Sequence, residues 1–152
     1  MGRCDEALKI LDLALITCRK KNESTNSVLF GNIYFSFGNV HTKRRNFEKA
    51  IDNYNKSLTV RKFRGDKVGV SLVQNEIGNM FKVIGVIEMD QARAFYSESL
   101  RTRTLSPDYD KIALVTSLTN IGQLLVEQES NELKLAERLL NEGKPFDRCD
   151  GP

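Results

Sequence analysis

Side chains able to do covalent or metal chemistry are scarce in this chain. His41 is the only histidine, so no histidine pair exists to build a common zinc site. Cys4, Cys18 and Cys149 lie 14 and 131 residues apart (4 to 18, 18 to 149), which fits neither a disulfide framework nor a CxxC site, and none has a base close by in sequence. No Walker loop, GxGxxG, GxSxG or HExxH run occurs. The expectation is therefore no enzyme, no metal and no cofactor. What recurs instead is a carboxamide: Asn39, Asn79 and Gln123 each stand immediately after a glycine. Such a group both donates and accepts hydrogen bonds, which suits holding a partner rather than breaking a bond.

The elements that carry these carboxamides repeat with them. Gly38, Gly78 and Gly122 follow Phe37, Ile77 and Ile121, at intervals of 40 and 44 residues (38 to 78, 78 to 122). Each glycine is followed 12, 14 and 14 residues on by Ala50, Ala92 and Ala136, and each alanine at +4 and +7 by Tyr54/Ser57, Tyr96/Ser99 and Leu140/Gly143. The alanine triplet occurs once more, as Ala7, Leu11 and Ala14. A period near 40 with two helix-length segments in each is the signature of an α-solenoid. Small residues at fixed places let two antiparallel helices approach closely, and because a helical glycine costs about 0.5–1 kcal/mol against alanine, three in register imply a packing reason.

Apolar periodicity predicts about seven helices, over 4–21, 27–45, 47–63, 68–84, 91–105, 111–128 and 132–141. Their expected inward stripes are Ala7, Leu11, Ala14 and Cys18; then Leu29, Ile33, Phe37 and Val40; then Ala50, Ile51, Tyr54 and Leu58; then Val70, Val73, Ile77, Met80 or Phe81, and Ile84. Asn46 makes one turn, Gly65-Asp66 a break in which the glycine ends a helix and the aspartate caps the next, and Ser106-Pro107-Asp108 another. Gly143 and Pro145 give a final stop. Val68, Val70, Val73, Ile112 and Val115 favour strand individually, but no turn chemistry lies where hairpins need it.

Tyr34, Phe37-Gly38, His41, Ala50, Tyr54 and Ser57 together resemble the tetratricopeptide (TPR) consensus. Ile77-Gly78, Phe81, Ala92, Tyr96 and Ser99 repeat it, as do Leu118, Ile121-Gly122, Leu125, Ala136, Leu140 and Gly143. The units are longer than usual and are similar to those of the Pins/LGN adaptors and the kinesin light chains. Gln74 replaces the consensus aromatic. The resemblance implies an all-α, right-handed superhelical solenoid over 1–146, with a lone second helix at 4–21, repeats at 27–63, 68–105 and 111–143, and a polar tail at 147–152. It also implies a concave groove lined by the first helix of each repeat, with Asn32, Phe35, Asn39 and Lys43 from one unit, Asn75, Asn79 and Lys82 from the next, and Thr119, Asn120 and Gln123 from the last. There the carboxamides would form a ladder against an extended peptide backbone. Phe35 and Ser36 stand where a terminal-carboxylate clamp would need a Lys and an Arg or Asn, and His41 falls on the core-facing stripe as a packed, hydrogen-bonded residue.

Partner class follows from the charges. At 40% apolar and 28% charged residues, the chain reads as a soluble globular domain, and a net charge of +3 with interspersed signs implies neither membrane nor nucleic acid. Arg19-Lys20-Lys21, Lys43-Arg44-Arg45, Arg61-Lys62 and Arg101 with Arg103 sit at helix C-termini, where the macrodipole alone favours cations. No span of membrane length and no signal-peptide layout occurs, so a cytoplasmic location is expected. The reading is a non-catalytic protein-interaction module of a larger adaptor or regulator. The alternatives are an RNA-binding helical repeat or the regulatory domain of a larger enzyme. Finally, eight of the ten residues from Ala7 to Ile16 are apolar. Leu8, Leu13, Leu15 and Ile16 should stay partly wet unless a homodimer or further repeats cover them.

Overall fold

The computed structural model describes residues 2–21, 24, 25, 27–85, 88–104 and 111–141, with the side chains of 113, 135, 136 and 138–141 excepted. Within them lie six helices and no strand: α1 (Gly2–Lys20), α2 (Val28–Lys43), α3 (Phe47–Phe63), α4 (Lys67–Ile84), α5 (Met89–Thr104) and α6 (Lys111–Asn141). The chain is an all-α solenoid in which α2 packs most extensively on α3 and α4 on α5, with α1 against α2 and α6 against α5 at the ends. The breaks at Ser106–Asp108 and Gly143, Pro145 and the 147–152 tail lie outside the described residues.

One turn is used twice. After α2, Arg44 N–H bonds Val40 O, Arg45 N–H bonds Thr42 O and Asn46 N–H bonds His41 O; after α3, Arg64, Gly65 and Asp66 repeat the pattern onto Val60, Lys62 and Arg61. The middle residue of each is left-handed, Arg45 at φ 56° and Gly65 at φ 69°. Glycine takes that conformation freely and arginine under strain. The third residue caps the next helix: Asn46 Oδ1 accepts Lys49 N–H at 3.3 Å, and Asp66 Oδ1 accepts Gly69 N–H at 2.8 Å.

The core has two parts. Ala50, Tyr54, Val73, Ile77, Met80, Phe81, Met89, Ala92, Tyr96 and Leu124 form the larger, and Cys18, Phe30, Ile33, Phe37 and Val60 the smaller. Met80 and Phe81 are both buried, whereas Ile84 is exposed beside the end of α4, and in α2 Phe30 takes the inward place expected of Leu29, which is half exposed. His41 is packed, but its buried Nδ1 has no hydrogen bond among the described residues, contrary to expectation.

The glycines explain the period. A Cβ on Gly38 would fall within 2.5 Å of Tyr54 Cδ1, and one on Gly78 would lie 2.6 Å from Tyr96 Cε1, so each glycine is the seat of a tyrosine ring from the following helix. Two turns away, Ser57 Oγ donates to Gly31 O at 2.8 Å and Ser99 Oγ donates to Ser71 O at 2.7 Å. Gly122 departs from this pattern. Among the described residues a Cβ there would meet nothing within 4 Å, because α6 runs unbroken to Asn141 instead of turning back as a seventh helix at 132. From Gln128 to Glu132 the chain offers neither Gly nor Pro, and Ser130 and Asn131, residue types that elsewhere cap helices, are carried within α6. The face of α6 that would receive a tyrosine is therefore open, with Val115, Leu118, Leu125 and Val126 exposed. Ala136, Leu140 and Gly143 lie outside the described side chains.

Candidate partner-binding groove

Helices α2, α4 and α6 stand side by side, with α3 and α5 packed behind them. Asn120 Nδ2 donates to Asn75 Oδ1 at 3.0 Å, and Lys82 Nζ pairs with Glu127 Oε1 at 2.7 Å, which joins α4 to α6. Asn75 is buried by this contact, so its carboxamide serves the helix junction rather than an open surface.

Asn39 and Asn79 hold identical places. Tyr54 Oη donates to Asn39 Oδ1 at 2.8 Å, and Tyr96 Oη donates to Asn79 Oδ1 at 2.7 Å. Burial, with the Glu76 carboxylate adding to it, pushes both phenols up to about 12, so both hydroxyls keep the proton they donate. Each asparagine is thus fixed through its oxygen, while its Nδ2 makes no hydrogen bond among the described residues and is not buried. The two residues expected to face a ligand freely are instead half-buried and tied to the core through one atom. Thr42 Oγ1 lies 3.2 Å from the same Tyr54 hydroxyl and completes that end of the latch.

At the other end of α2, the exposed Asn32 accepts Arg61 Nη2 at 2.8 Å, and the half-buried Phe35 ring lies 6.1 Å from Tyr54 with the Arg61 guanidinium 5.8 Å above it. Arg61 is buried and also bonds Ser57 Oγ and Asp66 Oδ2, so one cation orders the edge of the groove and the cap of α4 together. Thr119 and Gln123 are exposed and line an open hollow on α6 with Gly122, Val126 and Glu127. Lys43 stands apart, at the end of α2 beside Cys4, Arg44 and Arg45. Glu76, Arg61 and Glu127 were not foreseen as part of this surface. Glu76 was legible in principle, since it lies three residues before Asn79 and so shares its helix face.

Among the described residues, no group of three or more His, Cys, Asp or Glu is placed to hold a metal ion, and no helix is long and apolar enough to cross a membrane. No protein-family model matches the chain, and no curated protein matches it. Among solved structures it is similar to BtubC (BKLC) from P. vanneervenii, a bacterial kinesin light chain-like protein with TPR-like helical repeats, at a TM-score of 0.71 and 20% identity. The match takes in 99% of this chain and 63% of that one, so this chain spans less than two thirds of its neighbour. At that identity the likeness supports the helical-repeat fold and nothing finer.

Proposed function

We propose that this chain is a non-catalytic TPR-like module, part of a larger adaptor or regulator, that binds an extended peptide or a partner protein's surface along α2, α4 and α6. The observation that carries this reading is the paired pose of Asn39 and Asn79. Two amide donors, each held by a tyrosine hydroxyl and one repeat apart, are pre-set for separate carbonyls along an extended chain, which lowers the entropy cost of binding. Glu76, within electrostatic reach of both tyrosines, favours a partner with a cation at that point and disfavours a terminal carboxylate.

Affinity capture with the full chain tests this, using Glu76→Lys and Gln123→Ala as groove variants, since neither side chain holds a core hydrogen bond. Loss of a captured protein with both variants folded supports the groove. Equal capture by wild type and variants refutes it. A captured species for which the logarithm of the affinity falls steeply and linearly with log salt is instead nucleic acid, and would favour the RNA-binding alternative.

A further inference from the structure

The outward face of α1 differs from that of every other second helix. Its inner residues Leu8, Leu11, Ala14, Leu15 and Cys18 pack on α2, so Leu8 and Leu15 are partly covered within the chain. Ile10, Leu13 and Ile16 point the other way, at 66%, 63% and 47% exposure. In the alignment that matches Ala7 with Ala50 and Ala92, Leu13 corresponds to Lys56 and Glu98, and Ile16 to Thr59 and Arg101. Those positions are solvated: Lys56 pairs with Asp52 and Glu98 with Arg101 along the helix surface. Ile10 corresponds to Asn53 and Phe95, and Phe95 stacks on Phe81 of its own repeat's first helix at 5.6 Å, so an earlier first helix would reach Ile10 but leave Leu13 and Ile16 toward the solvated edge, where Lys56, Thr59 and Arg101 are exposed.

Its charges show what fits it. Glu6, Leu13 and Lys20 are seven residues apart and fall on one line along the helix, with Glu6 and Lys20 both exposed. We propose that two copies of this chain pair through α1, antiparallel about a two-fold axis at Leu13. That axis sets Leu13 on its counterpart and Ile10 on the partner's Ile16. It also places Glu6 beside the partner's Lys20 at both ends, about 10 Å from the centre by the helix rise. The pattern is complementary to itself, and so selects a second copy over an unrelated apolar helix. One helix face is small for an interface, so the dimer is of micromolar rather than nanomolar strength.

Sedimentation equilibrium of the whole chain with a reductant present, from about 1 μM to about 1 mM, tests the pairing. Leu13→Glu brings two carboxylates together on the axis and should weaken the dimer more than tenfold, with circular dichroism confirming that the exposed substitution leaves the helices intact. Glu6→Lys and Lys20→Glu each turn both end pairs repulsive and should weaken it several-fold. The double variant Glu6→Lys/Lys20→Glu should recover it, and the two single variants should pair with each other better than with themselves. A monomer throughout the range overturns the proposal, as does a dimer that survives Leu13→Glu. A dimer for which the double charge swap recovers nothing overturns the antiparallel arrangement.

Discussion

Alanine at the two equivalent glycines Gly78 and Gly122 should act in opposite directions. In a helix interior, glycine to alanine gains about 0.5–1 kcal/mol from the backbone alone. At Gly122 no described residue opposes that gain, since the new methyl meets none of their atoms within 4 Å. At Gly78 it would lie 2.6 Å from Tyr96 Cε1 and 2.7 Å from Cδ1, about 1 Å inside ordinary carbon contact. The ring has no room to retreat, being fully buried and held at its hydroxyl by Asn79. Overpacking of this kind costs about 1–3 kcal/mol, which set against the backbone gain leaves a net loss of up to about 2.5 kcal/mol. At roughly 2–4 °C per kcal/mol for a chain of this length, Gly78→Ala should melt up to about 10 °C below wild type and Gly122→Ala about 1–4 °C above it. Thermal unfolding followed by far-ultraviolet circular dichroism measures both. If Gly122→Ala lost as much stability as Gly78→Ala, a helix would have to cover Gly122, and the unbroken course of α6 would be wrong.

Three further outcomes follow from the latch, the histidine and the turn. Asn79→Ala strands the Tyr96 hydroxyl and should cost about 1–3 kcal/mol in urea unfolding, Tyr96→Phe only about 0.5–1.5, and the double variant should fall well short of their sum; strict additivity would mean the bond contributes nothing. Burial first, then the charges of Lys49 and Arg44, holds His41 below its ordinary 6.5, so on acidification the unfolded chain takes up that proton before the folded one does. Stability should accordingly fall as pH drops from about 7.5 through the mid-sixes to about 5.5, and His41→Gln should flatten the slope of melting temperature over that range. Arg45→Gly should stabilise by up to about 1 kcal/mol, since it relieves a left-handed arginine where the equivalent turn already has Gly65, less what the freer unfolded chain takes back. An unchanged or lower urea midpoint would contradict that.

Much of the helical array was legible because its signals are local. Small residues at fixed intervals marked where helices cross, and turn residues such as Gly65-Asp66 marked where they end. The 132–141 segment misled because its alanine and leucine keep the repeat register while no Gly or Pro before them breaks the helix, and register alone does not bend one. At the groove, sequence placed Asn39 and Asn79 correctly on first helices but missed their bond to tyrosines 15 and 17 residues away. That contact exists only once two helices are paired. For the same reason Asn75 was read as open surface when it closes a junction with Asn120, 45 residues on. Arg61, read as a helix-end cation, does sit in the last turn of α3 and is also the buried hub that Asn32, Ser57 and Asp66 share.

The tyrosine latch also bears on how such a groove can diverge between lineages. Asn39 and Asn79 each meet the solvent with one atom and hold a core hydroxyl with another, so a substitution that retuned recognition there would at the same moment loosen a helix pair. Gln123 and Thr119 lie on exposed surface and close no core bond of that kind, so they can change at little structural cost. Descendants of this chain should therefore keep the two asparagines whatever they come to bind, and acquire new preferences through the last helix.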